Sequence, residues 1–575
     1  MIKLKKVFSY FKYYLKESIL APLFKLLEAS LELLIPIIVA KIIDRGIANQ
    51  DTGYIIKMVM LMITFGLIGL ALSVLGQYFS AKSAVGFSTR LRKDLFIKLQ
   101  SLSFQDIDTL GTSSMITRMT SDVNQVQTGI NLGLRLLLRS PFVVFGAAIM
   151  ATFVSPSTSY VFWIAIPILS IVIFGIMLIT MPLHKKTQEK LDNVLEATKE
   201  NLDGTRVIRA FTAEEDEKVE YRARVKKLEK SQNKAANISN LMNPLTYTII
   251  NIAIVLLIYV GAMKVNTGVL KQGEVIALYN YMSQILVELV KLANLIITIT
   301  KALACSSRIG KILEKDTTIT YKNSIKENAE NFISFENVVL EYKDSGAPSL
   351  EGISFTVNKG ETIGIIGATG SGKSSLVNLI PRFYEPTSGR ITIDGKDIMS
   401  YNIEELRGMV GIVLQKAVLF EGTIRDNIKW GKKDATTDEI IEACRLSEAL
   451  DIISKKEKGL DSIVEQGGKN FSGGQRQRLS IARALVKKPE ILILDDSSSA
   501  LDYATDAALR KNLKNLSPKP TIFIVSQRTL SIENADKIIV LENGRIVGFD
   551  NHNNLLKNCE VYQEIYYSQF KKGVK

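Results

Sequence analysis

The chain has 575 residues, 47% apolar and 23% charged, with a mean hydropathy of +0.15. Its length exceeds one compact core and its hydropathy excludes a disordered chain, so the average reads as a soluble half joined to an apolar half. A net charge of +14 points either to nucleic acid or to a membrane surface, and the placement of the charges decides between them. Three dispersed cysteines (Cys305, Cys444, Cys559) exclude a disulfide framework and a cysteine-ligated zinc site. Two histidines, His184 and His552, leave little for histidine catalysis.

In chain order, Met1–Lys16 is basic and aromatic, as expected of an amphipathic helix lying on the cytoplasmic membrane face. Apolar stretches of bilayer length then recur at Leu20–Ile43, Met58–Phe79, Leu137–Val154, Tyr160–Met181, Leu245–Met263 and Ala277–Ala304. Ser140 to Leu183 carries no charged side chain, and Ser155-Pro156-Ser157 at its centre predicts a tight turn between two crossings. The stretches Ser80–Arg135 and His184–Asn240 are rich in Lys and Arg, whereas the loops near Arg45, Ser157 and Lys264 carry few. Cationic loops stay on the cytoplasmic side, which predicts six crossings with both termini cytoplasmic and assigns the positive charge to membrane topology, not nucleic acid. The periodicity of the two basic stretches predicts that the membrane helices continue into the cytoplasm, their turns capped by Thr112–Met119 and Phe211–Glu217. Glu28, Glu32, Glu288 and Lys291 fall inside the crossings, where ionisable groups face a protein interior or a watery cavity.

After about Tyr321 the composition changes to short β-rich runs alternating with helical ones. The expected organisation is a membrane all-α, six-helix domain over residues 1–320, followed by an α/β P-loop nucleotide-binding domain over 331–575. Ser334–Leu340 and Thr362–Ile366 read as strands, and Gly367-Ala368-Thr369-Gly370-Ser371-Gly372-Lys373-Ser374 follows the second, with Ser375 next. This is G-x-x-x-x-G-K-[ST] in strand–loop–helix context, where backbone N–H groups curl around phosphate oxygens. Lys373 should reach the terminal phosphates and Ser374 should hold Mg²⁺. Ile491–Leu494 is an apolar strand ending in Asp495 and Asp496, which puts Asp495 beside the metal. Phe471-Ser472-Gly473-Gly474-Gln475 is a second glycine-rich turn opening a helix, hence a second anion-binding surface. Two such elements suggest a nucleotide clamped between two copies of the domain.

With these motifs in this order, the chain resembles a half-transporter of the ABC exporter family (type IV fold) over nearly its whole length. The resemblance implies ATP and Mg²⁺ as cofactors, Tyr342 stacked on the adenine, and Gln415 as the glutamine linking Mg²⁺ to the membrane-domain contact. It implies that Ser472, Gly473, Gly474 and Gln475 touch the γ-phosphate held by the opposite subunit, and that Ser499-Ala500-Leu501-Asp502 crosses the dimer interface. Thr112–Met119 and Phe211–Glu217 would correspond to its coupling helices.

The sequence departs from the family pattern in three places. Asp496 stands where the glutamate that polarises the attacking water is usual, Gln527 stands at the switch-histidine position after Thr521–Val525, and Gln466 replaces a common glutamate before the signature. Losing one methylene withdraws a carboxylate by about 1.5 Å, and misplacement near 1 Å costs on the order of 10²-fold in rate. Glutamine donates a hydrogen bond but cannot become a cation. This pattern is expected of the weaker half of a heterodimeric multidrug-type exporter, with a partner half-transporter carrying the missing glutamate and histidine. Two alternatives stand beside it: a homodimeric exporter with weak ATPase, and an ATP-gated membrane regulator that does not pump. Lipids, hydrophobic drugs and peptides suit the apolar walls equally, and the composition fits a bacterial plasma membrane.

Overall fold

The computed structural model describes residues 6–315, 330–343 and 345–570. Met1–Lys5 of the basic opening, the expected domain change near Tyr321 and the last five residues lie outside them. The chain divides into two compact units, Met1–Gln100 with Ser113–Lys315, and Ser101–Thr112 with Asp316–Lys575. The segment Ser101–Thr112 thus belongs by its contacts to the second unit, not to the membrane domain expected over 1–320.

The first unit is helical. Six long helices correspond to the six apolar stretches: Leu15–Lys41, Thr52–Gln100, Arg139–Val154, Tyr160–Asp203, Met242–Asn266 and Gln272–Leu313. Among the described residues, five helical stretches are long and apolar enough to cross a membrane, and the Leu15–Lys41 helix is interrupted by Lys25, Glu28 and Glu32. At 1.5 Å per residue, the 49-residue Thr52–Gln100 helix runs about 73 Å, well beyond a hydrocarbon core of about 30 Å. The helix therefore continues well past the length of a crossing, as its periodicity led one to expect. Ser155 to Ser159 forms the expected turn. The described part of the basic opening is helical, with a 3-10 segment, Ser9–Tyr14, running into the Leu15–Lys41 helix.

The expected turn caps are displaced. The short helix in the first basic stretch is Phe104–Leu110, and Thr112 already begins the next helical run. Ser103 caps it by accepting from Asp106 N, with the Asp106 side chain returned to the Ser103 backbone, and Gly111 at φ +72° ends it. In the second stretch the short helix is Thr205–Ala210, and Glu214–Asn240 follows with four acidic residues in its first turn, favourable at a helix N-terminus.

In the second unit, a four-stranded antiparallel sheet has the order β2-β1-β4-β5 (Leu350–Val357, Ile333–Leu340, Ser388–Ile393, Lys396–Asp397). A two-stranded sheet pairs β7 (Gly422–Thr423) with β8 (Ile463–Val464). The main six-stranded sheet has the order β12-β11-β3-β10-β9-β6 (Arg545–Asp550, Lys537–Glu542, Thr362–Gly367, Thr521–Val525, Ile491–Asp495, Val410–Val413). Its strands are parallel except β12. Ile363, Ile365, Ile366 and Ile491–Ile493 are fully buried, which explains the unbroken apolar runs. Register aligns Val525 with both Asp495 and Ile365, so the loops after β3, β9 and β10 leave the sheet at one edge. The carboxyl edge of a parallel sheet is where such folds bind ligands.

Candidate functional site

At that edge a cavity of about 240 Å³ is lined by Thr369, Gly370, Gly372, Lys373, Ser374, Ser375, Gln415, Asp495, Asp496 and Gln527, with Ser349, Val525 and Ser526. Residues from four separate sequence motifs meet there. Gly372, at φ +96°, starts the Lys373–Leu379 helix, and a Cβ on it would lie 2.7 Å from the Ser349 carbonyl oxygen. A Cβ on Gly367 would collide with the Leu541 carbonyl oxygen. Both positions need glycine so that the loop can lie directly against the neighbouring backbone of Ser349 and Leu541. Gly367, Ala368 and Ser371 belong to the loop without lining the cavity, and Ser371 Oγ is buried with no partner among the described residues.

Lys373 Nζ donates to the carbonyls of Gly367 (2.9 Å) and Ala368 (2.7 Å). Burial pulls its ammonium below the ordinary lysine range, opposed by Asp496 and Asp495. Ser374 Oγ donates to Asp495 Oδ1 at 3.0 Å. Burial raises the Asp495 carboxyl above the usual range, with the Ser374 hydrogen bond opposing. Burial also raises that of Asp496, with Gln415 and Lys373 opposing. A backbone cradle of glycines, a cation, and a hydroxyl–carboxylate pair of hard oxygens fit a magnesium-bound polyphosphate. Among the described residues there is no cluster of three or more His, Cys, Asp or Glu side chains placed to hold a metal by themselves.

Asp496 sits at φ +46°, its N–H donating to the Val525 carbonyl at 3.0 Å and its own carbonyl accepting from Ser499 Oγ at 2.8 Å. Gln415 Nε2 approaches Asp496 Oδ2 only to 3.4 Å. Gln527 is exposed, and its backbone carbonyl accepts from Gln569 Nε2 at 2.7 Å. Neither histidine substitutes for it: His184 lies near Ser239, and His552 Nδ1 meets the Tyr562 hydroxyl at 2.8 Å. Tyr342 lies outside the cavity lining. Its hydroxyl donates to Ser375 Oγ at 3.0 Å, and its ring meets Tyr384 edge-on at 5.0 Å.

The second glycine-rich turn is elsewhere. Ser472 caps the Gly473–Leu485 helix, accepting from Gln475 N while Gln475 Oε1 accepts from Ser472 N. Gly473 lines a separate cavity of about 540 Å³ with Lys416, Lys469 and Arg476, sharing only Gln415 with the first. Gly474 approaches the Ala500 carbonyl, and Asp502 caps Tyr503–Lys514 through Thr505 N at 2.9 Å. Gln466 opens a 3-10 turn before the signature. One chain therefore does not bring Ser472–Gln475 to its own phosphate loop.

Several contributors have no motif. Ser349 and Gln569 reach the site only through tertiary folding. Phe104 of the short capped helix stacks on Phe383 at 4.3 Å, and the Tyr384 hydroxyl donates to Asp108 at 2.6 Å. The Ser-x-x-Asp capping box at Ser103 was the available signal for that helix.

Comparison with known proteins agrees with this geometry. Residues 18–289 match the family model of the ABC transporter transmembrane region, and 350–499 match that of the ABC transporter domain. The chain is 36% identical over 568 residues to the uncharacterized ABC transporter ATP-binding protein YfiB of Bacillus subtilis, covering 99% of both. It is 30% identical to the ATP-dependent lipid A-core flippase of Hahella chejuensis (91% of this chain, 89% of that one). It is 31% identical to the putative multidrug export ATP-binding/permease protein YgaD of Bacillus subtilis, with 98% of each covered. The structure of a bacterial Atm1-family ABC exporter with ATP bound shares the fold, with TM-score 0.80 at 24% identity over 98% of this chain and 99% of that one.

Proposed function

Because the chain belongs to the ABC transporter family, we propose that it is one half of a heterodimeric ATP-driven exporter whose own phosphate loop forms the slower of two nucleotide sites. One observation carries this reading: Asp496 and Gln527 line the same cavity as the complete set Lys373, Ser374, Gln415 and Asp495. The machinery for holding nucleotide is whole, and the two groups nearest the reacting water are altered.

In this reading the Gly367–Ser375 loop cradles the phosphates, Lys373 pairs with the terminal ones, and Tyr342 borders the adenine. Ser374, Gln415 and Asp495 would hold Mg²⁺, which would offset charge on the transferring phosphoryl group. Asp496 is a short, poorly reaching base, and Gln527 offers a neutral donor where a histidine could carry charge. Gly473 of the Ser472–Gln475 turn lines a different cavity, which supports the turn's use on a partner's nucleotide, with Asp502 capping the helix that follows the interface loop. Hydrolysis then occurs mainly at the partner's site, completed by this chain's signature. The partner is a second half-transporter bearing the glutamate and histidine.

The named activities of the two relatives, lipid flipping and multidrug export, support a hydrophobic or amphiphilic cargo drawn from the membrane. The long basic extensions support a multi-pass plasma-membrane protein with both termini cytoplasmic. Purification with and without the partner tests the assignment. Little ATP turnover by this chain alone, restored on adding the partner, is expected. Brisk turnover by identical copies would instead establish the homodimer.

A further inference from the structure

The six-helix unit contains a cavity of about 440 Å³ lined in part by Glu32, Val143, Gln284, Glu288 and Lys291. Around it four charges alternate in a chain. Arg139 Nη2 donates to Glu32 at 2.6 Å and Nη1 to Glu288 at 2.7 Å, Ser140 Oγ donates to the other Glu288 oxygen at 2.8 Å, and Lys291 Nζ donates to Glu288 at 2.8 Å. The middle of the chain is closed, with side chains of Arg139 and Glu288 only 10% and 5% exposed. Its ends are open: Glu32 is 40% and Lys291 45% exposed.

Position makes this arrangement costly. At about 1.5 Å per residue, Glu288 lies roughly 24 Å from the Gln272 end of its helix, and Arg139 about 22 Å from the Val154 end of its own. Counted from those helix ends, both distances are shorter than a hydrocarbon core of about 30 Å. Charges there are expensive unless paired or facing a polar cavity. A purely structural network would close both ends, whereas this one presents a carboxylate and an ammonium to one space. Gln284 Oε1, in the same lining, is a buried acceptor with no hydrogen-bond partner among the described residues. A buried acceptor of that kind calls for a donor from outside the chain.

We propose that this cavity is the polar subsite for cargo and takes a zwitterionic amphiphile. Its ammonium lies against Glu32 and Gln284 Oε1, its phosphate or carboxylate against Lys291, and its apolar tail along Ile35, Pro36 and Val143. The assignment rests on the export reading above.

The test is ATP-driven uptake into inverted membrane vesicles bearing the assembled transporter. Three probes share a twelve-carbon tail: dodecylphosphoethanolamine, dodecylamine and dodecyl phosphate. The zwitterion should half-saturate uptake at a concentration roughly tenfold below either singly charged probe, as one charge-assisted contact implies. Glu32→Gln, which keeps an acceptor for Arg139, should move the preference to dodecyl phosphate, and Lys291→Gln should move it to dodecylamine. Uptake indifferent to head-group charge, or a preference unchanged by both variants, overturns the assignment and leaves export standing. Absence of ATP-driven uptake for all three probes likewise overturns the assignment, while the export reading is tested separately by ATP turnover with and without the partner.

Discussion

Lengthening one side chain by a methylene, Asp496→Glu, should speed hydrolysis at this chain's nucleotide site. The main chain at Asp496 is pinned on both sides, by the Val525 carbonyl at 3.0 Å and by Ser499 Oγ at 2.8 Å, so it cannot slide forward to bring the carboxylate closer. The gap shows at Gln415, whose Nε2 stops 3.4 Å from Asp496 Oδ2, beyond the ordinary range of about 2.7–3.2 Å. A methylene adds about 1.5 Å of reach. Recovering a misplacement of about 1 Å is worth on the order of 10²-fold, or about 2.7 kcal/mol of barrier. The assay is phosphate release by the proposed heterodimer, with the catalytic glutamate expected of its partner changed to glutamine, so that the remaining rate reports this site. Adding Gln527→His supplies a group able to take up charge and should raise the rate further. If the double variant turns over no faster than the unaltered chain in that silenced background, the reach argument is wrong and the slow site has another cause.

Lys373→Ala should weaken ATP binding roughly 10- to 100-fold, from loss of charge-assisted hydrogen bonds, as read by titration of a fluorescent nucleotide. Ser472→Ala should leave nucleotide binding to this chain intact while lowering turnover of the assembled heterodimer, which a phosphate-release assay resolves. Phe104→Ala removes the ring stacked 4.3 Å from Phe383, an aromatic contact worth about 0.5–1.5 kcal/mol, and should lower transported molecules per ATP more than ATP turnover itself. Arg139→Met strips the shared partner from Glu32 and Glu288 and should destabilise the membrane unit by about 3–5 kcal/mol, seen as a clear fall in thermal midpoint in detergent.

Much of the fold is legible in the chain because its signals are local. Apolar length predicted the six helices that correspond to the apolar stretches, since a helix in hydrocarbon must satisfy its own backbone bonds. The glycine loop needed φ values and close approaches at Gly367 and Gly372 that other residues resist. Strands β9 and β10 announced themselves as apolar runs because both faces of the main sheet are covered. The turn helices were misplaced by several residues, because helical periodicity runs through Thr112 and only the Ser103–Asp106 capping exchange and Gly111 mark where the chain turns.

Local spacing alone marked out the motifs: a glycine-rich phosphate-loop pattern, the Asp495–Asp496 strand end, a second glycine-rich turn, and the Asp496 and Gln527 departures from the family pattern, each defined by neighbours a few residues apart. Tertiary structure alone decided what those pieces face. Parallel register brought residues 367, 495 and 525 to one edge, Gly473 came to line another cavity, and the folded helices joined Glu32, Arg139 and Glu288 across more than a hundred residues. Contacts of that sequence separation are set by how whole elements pack, and no local pattern encodes them.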